Sequence, residues 1–249
     1  MNAEPEFEKR ISDLARRSIK TGRVTNTWFL TPAEKYFLEQ RRDLYQGCLL
    51  RFFGEEYGCE RTAAFFVPDY MEGEEPEYAE VLTAFRFEAF FGEPGHRDYL
   101  GAILNTGIER NRVGDLIIKG SICTVFCFKT VASVFPDIER VGRCGVKVSE
   151  VSLVDVPVIE RKTKQVSFTV SGLRLDSVAA GMFSVSRTDS AEKIRLGLVS
   201  LNYAVCEKPD ASVKAGDVIS MRGEGKGTVS EIGGQSRKGR TYVHAEIFV

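Results

Sequence analysis

The residues best suited to chemistry lie in four pieces near the C-terminal end: Leu173-Arg174-Leu175-Asp176, Ser186-Arg187-Thr188-Asp189-Ser190-Ala191, Ile194 to Asn202, and Val213 to Ile219. Their spacing predicts two short helices and then a small sheet. Ser186 suits the cap of the second helix, so the free amides of its first turn and the Arg187 guanidinium would face one way, an arrangement made for a phosphate. Lys193, Arg195 and Arg222 would extend that positive strip along a polyanion backbone. Further on, Lys226, Arg237, Lys238 and Arg240 stand among six glycines between Gly223 and Gly239. That segment reads either as a flexible solvated loop or as a basic finger that orders on RNA. His96, Arg97, Arg110 and Arg112 are candidates for a second RNA contact, and His96-Arg97-Asp98 reads equally as a helix N-terminal network, with Asp98 favourable to the dipole.

These side chains need elements to hold them. Phe7, Ile11, Leu14, Ala15 and Ile19 recur at helical spacing and stop at Gly22, which predicts a helix from Glu6 to Thr21. Thr31-Pro32-Ala33-Glu34 is a capping box that should open a helix running to Tyr45. Thr62 to Val67 reads as a strand. Met71-Glu-Gly-Glu-Glu-Pro-Glu77 crowds carboxylates around Pro76 and marks a linker. From Val81 the pattern runs strand (81–90), helix (96–107), strand (115–119), strand (122–128), helix (129–138), strand (144–153). That order is the ferredoxin-like split βαβ arrangement, which hosts many functions. Phe85, Phe87, Phe90 and Phe91 could stack on bases, but alternation sends part of any such set inward, and we read them as core. Strands at 165–170, 198–201, 218–222 and 241–249 enclose helices at 176–183 and 189–195.

Composition narrows the classes. The chain has 249 residues, 43% hydrophobic and 28% charged, with a net charge of −1, the profile of a folded protein. The net value hides a gradient: residues 1–80 carry −5, residues 81–165 carry +2 and residues 166–249 carry +2. Six scattered cysteines and two distant histidines make no zinc pattern, and we expect reduced, mostly buried thiols. No apolar run is long enough to span a membrane, and the N-terminus lacks a signal-peptide core, so a cytoplasmic location is expected. The common hydrolase, nucleotidase and metalloprotease motifs are absent from the sequence, which lowers the odds of an enzyme.

Residues 170–223 resemble the S-four RNA-binding domain, named for a small-subunit ribosomal protein. The four pieces quoted above occur in order at that family's spacing. The resemblance implies that the two-helix face binds structured RNA, with Arg174, Ser186, Arg187, Lys193, Arg195 and Asn202 at the matching positions. Leu198 departs from it, since the family often places a basic residue there. Pro94-Gly-His96-Arg97-Asp98-Tyr-Leu100-Gly101 through Gly107-Ile108-Glu-Arg110 to Gly114-Asp115 resembles the hallmark of the YlmH family, and the likeness extends over 80–249. That family implies an N-terminal domain, an RRM-like domain and a C-terminal S-four domain. It further implies an association with a bacterial cell-division gene cluster, and a part in ribosome-associated quality control on large subunits with an obstructed peptidyl-tRNA.

The expected fold class is therefore α+β and multidomain: a small N-terminal α/β domain (1–76), a ferredoxin-like (RRM-like) βαββαβ domain (77–164) and a C-terminal S-four (αL-type) RNA-binding domain (165–249) ending in a Gly-rich basic hairpin. The expected function is non-enzymatic RNA binding on the ribosomal large subunit, with rRNA and tRNA as partners. No cofactor, metal, DNA or membrane is expected, and the chain should be a monomer. One alternative is a pseudouridine-synthase type of RNA-modifying enzyme, since Arg174-Leu175-Asp176 carries the letters of that active site. Another is a division adaptor that uses the acidic N-terminal domain.

Overall fold

The computed structural model describes residues 5–160 and 162–248. Among these, residues 5–159 form one compact unit and residues 160 and 162–248 a second. In the first unit, α1 (Pro5–Thr21) buries the stripe Phe7, Ile11, Ala15 and Ser18 and ends at Gly22, whose φ of +62° suits glycine. β1 (Thr25–Leu30) leads to α2 (Pro32–Gln40). Thr31 caps α2 as expected: its hydroxyl accepts from Glu34 N at 3.2 Å, and the Glu34 carboxylate accepts from Thr31 N at 2.7 Å. The helix stops short of the expected Tyr45. Arg41 leaves helical backbone, its guanidinium held by Glu8 and Asp43, and only one 3-10 turn follows over Arg42–Tyr45. β2 (Cys48–Phe53) and β3 (Thr62–Pro68) complete an antiparallel sheet of order β1-β3-β2. β1 and β2 were not foreseen.

Irregular backbone over 72–77 then leads to β4 (Leu82–Ala89), α3 (His96–Leu104), β5 (Val113–Lys119) and β6 (Ile122–Phe128). A 3-10 helix over Lys129–Asp137, with Pro136 inside it, stands where an α-helix was expected. β7 (Arg140–Val141) and β8 (Cys144–Val151) finish a sheet of order β5-β6-β4-β8-β7. β6 thus lies between β4 and β5, and β4 between β6 and β8, which makes the two crossed βαβ connections that the sequence order implied.

Both faces of this sheet are packed. On the helical side Phe85 and Phe87 meet Tyr99, Ile103 and Phe135, and the Phe85 and Phe135 rings stack 4.6 Å apart. On the other side Ala84, Phe126 and Phe128 meet Phe29, Phe53 and Phe65 from the first sheet. Phe53 stands edge-on to Phe126 at 5.0 Å, and Trp28 to Phe128 at 4.7 Å. Edge-to-face aromatic pairs of this kind add about 0.5–1.5 kcal/mol beyond area burial, so the two sheets share one strongly bonded core. Phe85 and Phe87 are core residues as read. Phe90 and Phe91 are not: they lie past the end of β4, 71% and 61% exposed.

The second unit runs β9 (Thr163–Val170), α4 (Leu175–Phe183), α5 (Arg187–Arg195), β10 (Val199–Leu201), β11 (Ala204–Val205), β12 (Val218–Met221), β13 (Gly225–Gln235) and β14 (Thr241–Phe248). The strands form one antiparallel sheet of order β11-β10-β12-β13-β14-β9, and α4 packs Leu175, Val178, Ala179 and Met182 into its core. The glycine-rich segment is strand, not flexible loop, and with β14 it makes an antiparallel hairpin. It forms β13, hydrogen-bonded to β12 and β14 on its two sides, and only the turn at 236–240 projects.

Two glycines explain how α4 approaches the sheet. A Cβ at Gly227 would sit 2.8 Å from both the Met182 sulfur and the Glu246 carbonyl, and one at Gly181 would sit 2.2 Å from the Phe168 ring. Gly181→Ala should therefore overpack this contact, at about 1–3 kcal/mol. For a unit of this size the thermal midpoint should fall on the order of 10 °C, measured by circular dichroism. An unchanged midpoint would show that the Phe168 ring swings away freely.

Candidate nucleic-acid interface

The interface begins where β9 hands over to α4. Arg174, at the helix N-cap, is extended, and Asp176 is buried in the first turn, only 4% exposed. Its carboxylate accepts from Arg174 Nε at 3.3 Å and Nη2 at 3.2 Å, from Arg187 Nε at 3.2 Å and Nη2 at 3.0 Å, and from Ser177 Oγ at 3.0 Å. Burial alone would raise the Asp176 pKa. The hydrogen bonds from Arg174, Arg187 and Ser177 outweigh it and hold the carboxyl below its ordinary value. One carboxylate between two guanidiniums leaves a net positive charge. The arginine side chains stay 46% and 55% exposed, with their outer edges toward solvent.

Ser186 caps α5 as expected, its hydroxyl accepting from Asp189 N at 3.0 Å. Such a cap contributes about 1 kcal/mol and fixes where Arg187 leaves the backbone. Arg195 is exposed eight residues beyond Arg187, ~12 Å along α5 and about 80° around it. Arg174 and Arg187, both held by Asp176, are planar cations suited to bidentate contact with phosphate oxygens.

Other expected residues stand differently. Lys193 is ion-paired to Glu224 in the β12–β13 turn. Asn202 is a fold residue: with Tyr203 it forms the two-residue turn between β10 and β11, at φ +50° and +66°. Its amide donates to Asp217 Oδ1 at 2.8 Å and accepts from Val218 N at 2.9 Å, which ties that turn to β12. Arg222 is exposed in the β12–β13 turn, and Lys226 lies over the rings of Tyr203 and Phe248. Arg237, Lys238 and Arg240 form a separate basic turn, anchored by Arg240 Nη2 donating to Thr169 O at 2.6 Å.

The second expected set comes apart in the same way. His96 and Arg97 are exposed at the start of α3, where the Asp98 carboxylate accepts from Gly95 N at 2.8 Å. Arg110 and Arg112 are committed to the fold. Arg110 donates to Gly114 O at 3.0 Å, and burial, then the neighbouring charge of Arg61, pushes its guanidinium down to about 10. Arg112 lies 3.4 Å from the centre of the Trp28 ring and pairs with Glu109.

Sequence reading missed the part played by Asp176, for which Arg174-x-Asp176 at a helix start was the available signal. It also averaged away the division of charge in the first unit. The exposed basic residues Lys9, Arg16, Arg17, Lys20 and Arg23 lie on or just after α1, and Glu74, Glu75, Glu77 and Glu80 line a cavity of about 510 Å³ together with Arg23. Four of the six cysteines are buried, and burial pushes Cys123 and Cys127 up to about 12. No described helix is long and apolar enough to cross a membrane.

Fold and surface together define an α+β protein of two compact units, one of which carries two guanidiniums held on one buried carboxylate. Comparison with known proteins gives the family. Residues 73–155 match the family model described as "Putative RNA-binding domain in YlmH". The chain is 30% identical over 230 residues to "Ribosome-associated protein quality control protein P2" of Bacillus subtilis (strain 168), across 90% of this chain and 87% of that protein. The solved structure of "Cell division protein ylmH from Streptococcus pneumoniae" is similar in fold, with a TM-score of 0.52 at 19% identity over 63% of this chain and 98% of that one. The chain belongs to the YlmH family.

Proposed function

We propose that this protein binds RNA and acts on the ribosome, docking on the large subunit, in contact with rRNA or tRNA, through the face that carries Arg174, Arg187 and Arg195. The observation that carries this reading is the Asp176 cluster. A buried carboxylate that aims two half-exposed guanidiniums outward is of little use to core packing, but it presents fixed bidentate donors to a phosphate backbone. The likeness of residues 170–223 to the S-four domain supports it, as does the name of the Bacillus relative. We keep the three-part division at 76/77 and 164/165 as a proposal, with the middle part RRM-like in topology. Arg222, Arg237, Lys238 and Arg240 are secondary backbone contacts in this reading, and His96 and Arg97 a separate one. The Arg-Leu-Asp tripeptide does not favour a pseudouridine-synthase reading, because Asp176 is buried under two arginines and not open to a base.

The test is sedimentation of the tagged protein in lysate through a sucrose gradient at low and high salt, beside an Arg187→Glu, Arg195→Glu variant. Wild type should travel with large subunits at low salt and leave them at high salt, and the variant should stay at the top. Wild type at the top of the gradient under both conditions would overturn the ribosomal reading.

A further inference from the structure

A groove along α1 carries charge of both signs. Arg10, Leu14, Arg17 and Thr21 stand at i, i+4, i+7 and i+11, so they share one side of the helix over ~16 Å. Leu14 and Arg17 line two adjoining cavities. One, of about 430 Å³, runs toward Lys9 and Arg10, and the other, of about 600 Å³, runs to Arg23, Thr25 and Asn26. Arg23 and Asn26 also line the cavity of about 510 Å³ that holds Glu74, Glu77 and Glu80. The three cavities are therefore one groove, basic along α1 and acidic along 74–80. Ser18 Oγ donates to Arg23 O and Thr25 Oγ1 to Leu14 O, both at 2.9 Å, so the backbone where the sign changes is tied to α1. Lys9, Arg17 and Arg23 are exposed without an ion-pair partner among the described residues, and so are Glu74, Glu77 and Glu80. Of the two carboxylates at the basic end, Glu6 and Asp13, the second is paired to Arg16. Tyr70, 66% exposed, adds a ring at the end of α1, its hydroxyl 3.0 Å from where a Cβ would lie on Gly22.

We propose that this groove is a docking surface for a second copy of the chain, related by a two-fold axis so that the α1 cations of each copy meet the 74–80 carboxylates of the other. The order of charge selects the occupant. An acidic partner would set like charge against Glu74, Glu77 and Glu80, a basic one would do so against Lys9, Arg17 and Arg23, and such contacts reject a partner. The chain itself carries both signs in one strip, and a two-fold rotation lays that strip on its own reverse, which is an isologous contact. The strip is narrow, so the dimer belongs to the weak class below about 1,200 Å² and forms at high protein concentration and low salt. The sequence alone pointed to a monomer, because neither half reads as an interface until the fold sets Arg23 beside the carboxylates of 74–80. The inference is independent of the RNA-binding reading.

The test is sedimentation velocity of the full chain at about 100 µM, in about 50 mM and about 500 mM salt. Wild type should sediment as two chains at the lower salt and as one at the higher. Arg17→Glu, Arg23→Glu should raise the dissociation constant at least about tenfold, and so should Glu74→Lys, Glu77→Lys. Thermal midpoints should not change, because all four side chains are exposed. An equimolar mixture of the two variants should recover the dimer, since each reversed half then faces a reversed half. Wild type sedimenting as one chain at low salt overturns the proposal and leaves the groove to a different protein. A dimer that survives in either variant alone forms elsewhere on the surface, and a mixture that stays single has no such pairing; each result overturns it equally.

Discussion

Asp176→Asn should weaken RNA binding, although it removes a negative charge from a surface that meets a polyanion. If the face worked by net charge alone, the substitution would raise affinity. The geometry gives the opposite sign, because the carboxylate accepts four N–H donors from Arg174 and Arg187 and holds both guanidiniums in fixed planes. An asparagine has one acceptor oxygen, and its NH2 group would confront a guanidinium. Hydrogen bonds to charged groups contribute about 1.5–3 kcal/mol each, so losing part of this set should cost the C-terminal unit about 2 kcal/mol and free the arginines to move. Structured-RNA affinity should drop about tenfold by anisotropy, and tighter binding would refute the positioning role. The pH dependence has a definite sign. A carboxyl held below its unfolded value adds stability that is present above ~3.9 and is lost as pH falls through the folded value. The stability difference between wild type and Asp176→Asn should therefore shrink on acidification below about pH 4.

The second large effect is expected from Arg187→Glu with Arg195→Glu. Each reversal removes one phosphate contact and adds a repulsion, and two lost charge-assisted bonds correspond to about a hundredfold in affinity. The loss should be similar for unrelated structured RNAs, because backbone contacts position without reading sequence. The slope of log affinity against log salt should flatten by ~1.4–1.8, as two fewer counterions are released. A hundredfold loss with an unchanged slope would mean that the helix had been disrupted instead, and the ellipticity of the variant would then fall.

What the sequence made legible followed from local rules. α1 is carried by an apolar stripe at helical spacing, α2 by a capping box, and the crossed order of the middle sheet by alternation and turns. β1 and β2 were missed because Thr25–Leu30 and Cys48–Phe53 face protein on both sides, so neither strand alternates cleanly. The glycines of β13 read as a loop or as a basic finger, yet Gly227 is required by the closeness of Met182 and the β14 backbone, a tertiary fact with no local signature. Among the candidate contacts, the Ser186 cap was readable. The hydrogen bonding of Asn202 to Asp217 and Val218 and the bridging by Asp176 were not, since both depend on partners eleven to sixteen residues away.

The aromatic core shared by the two sheets of the first unit also has a meaning in time. Phe29, Phe53 and Phe65 are synthesised well before Phe126 and Phe128, the residues that cover them. At ~5–20 residues per second, the first sheet waits for several seconds with its apolar face bare. During translation that face is a natural place for a chaperone to hold the chain, and a pause before residue 128 would lengthen the exposure.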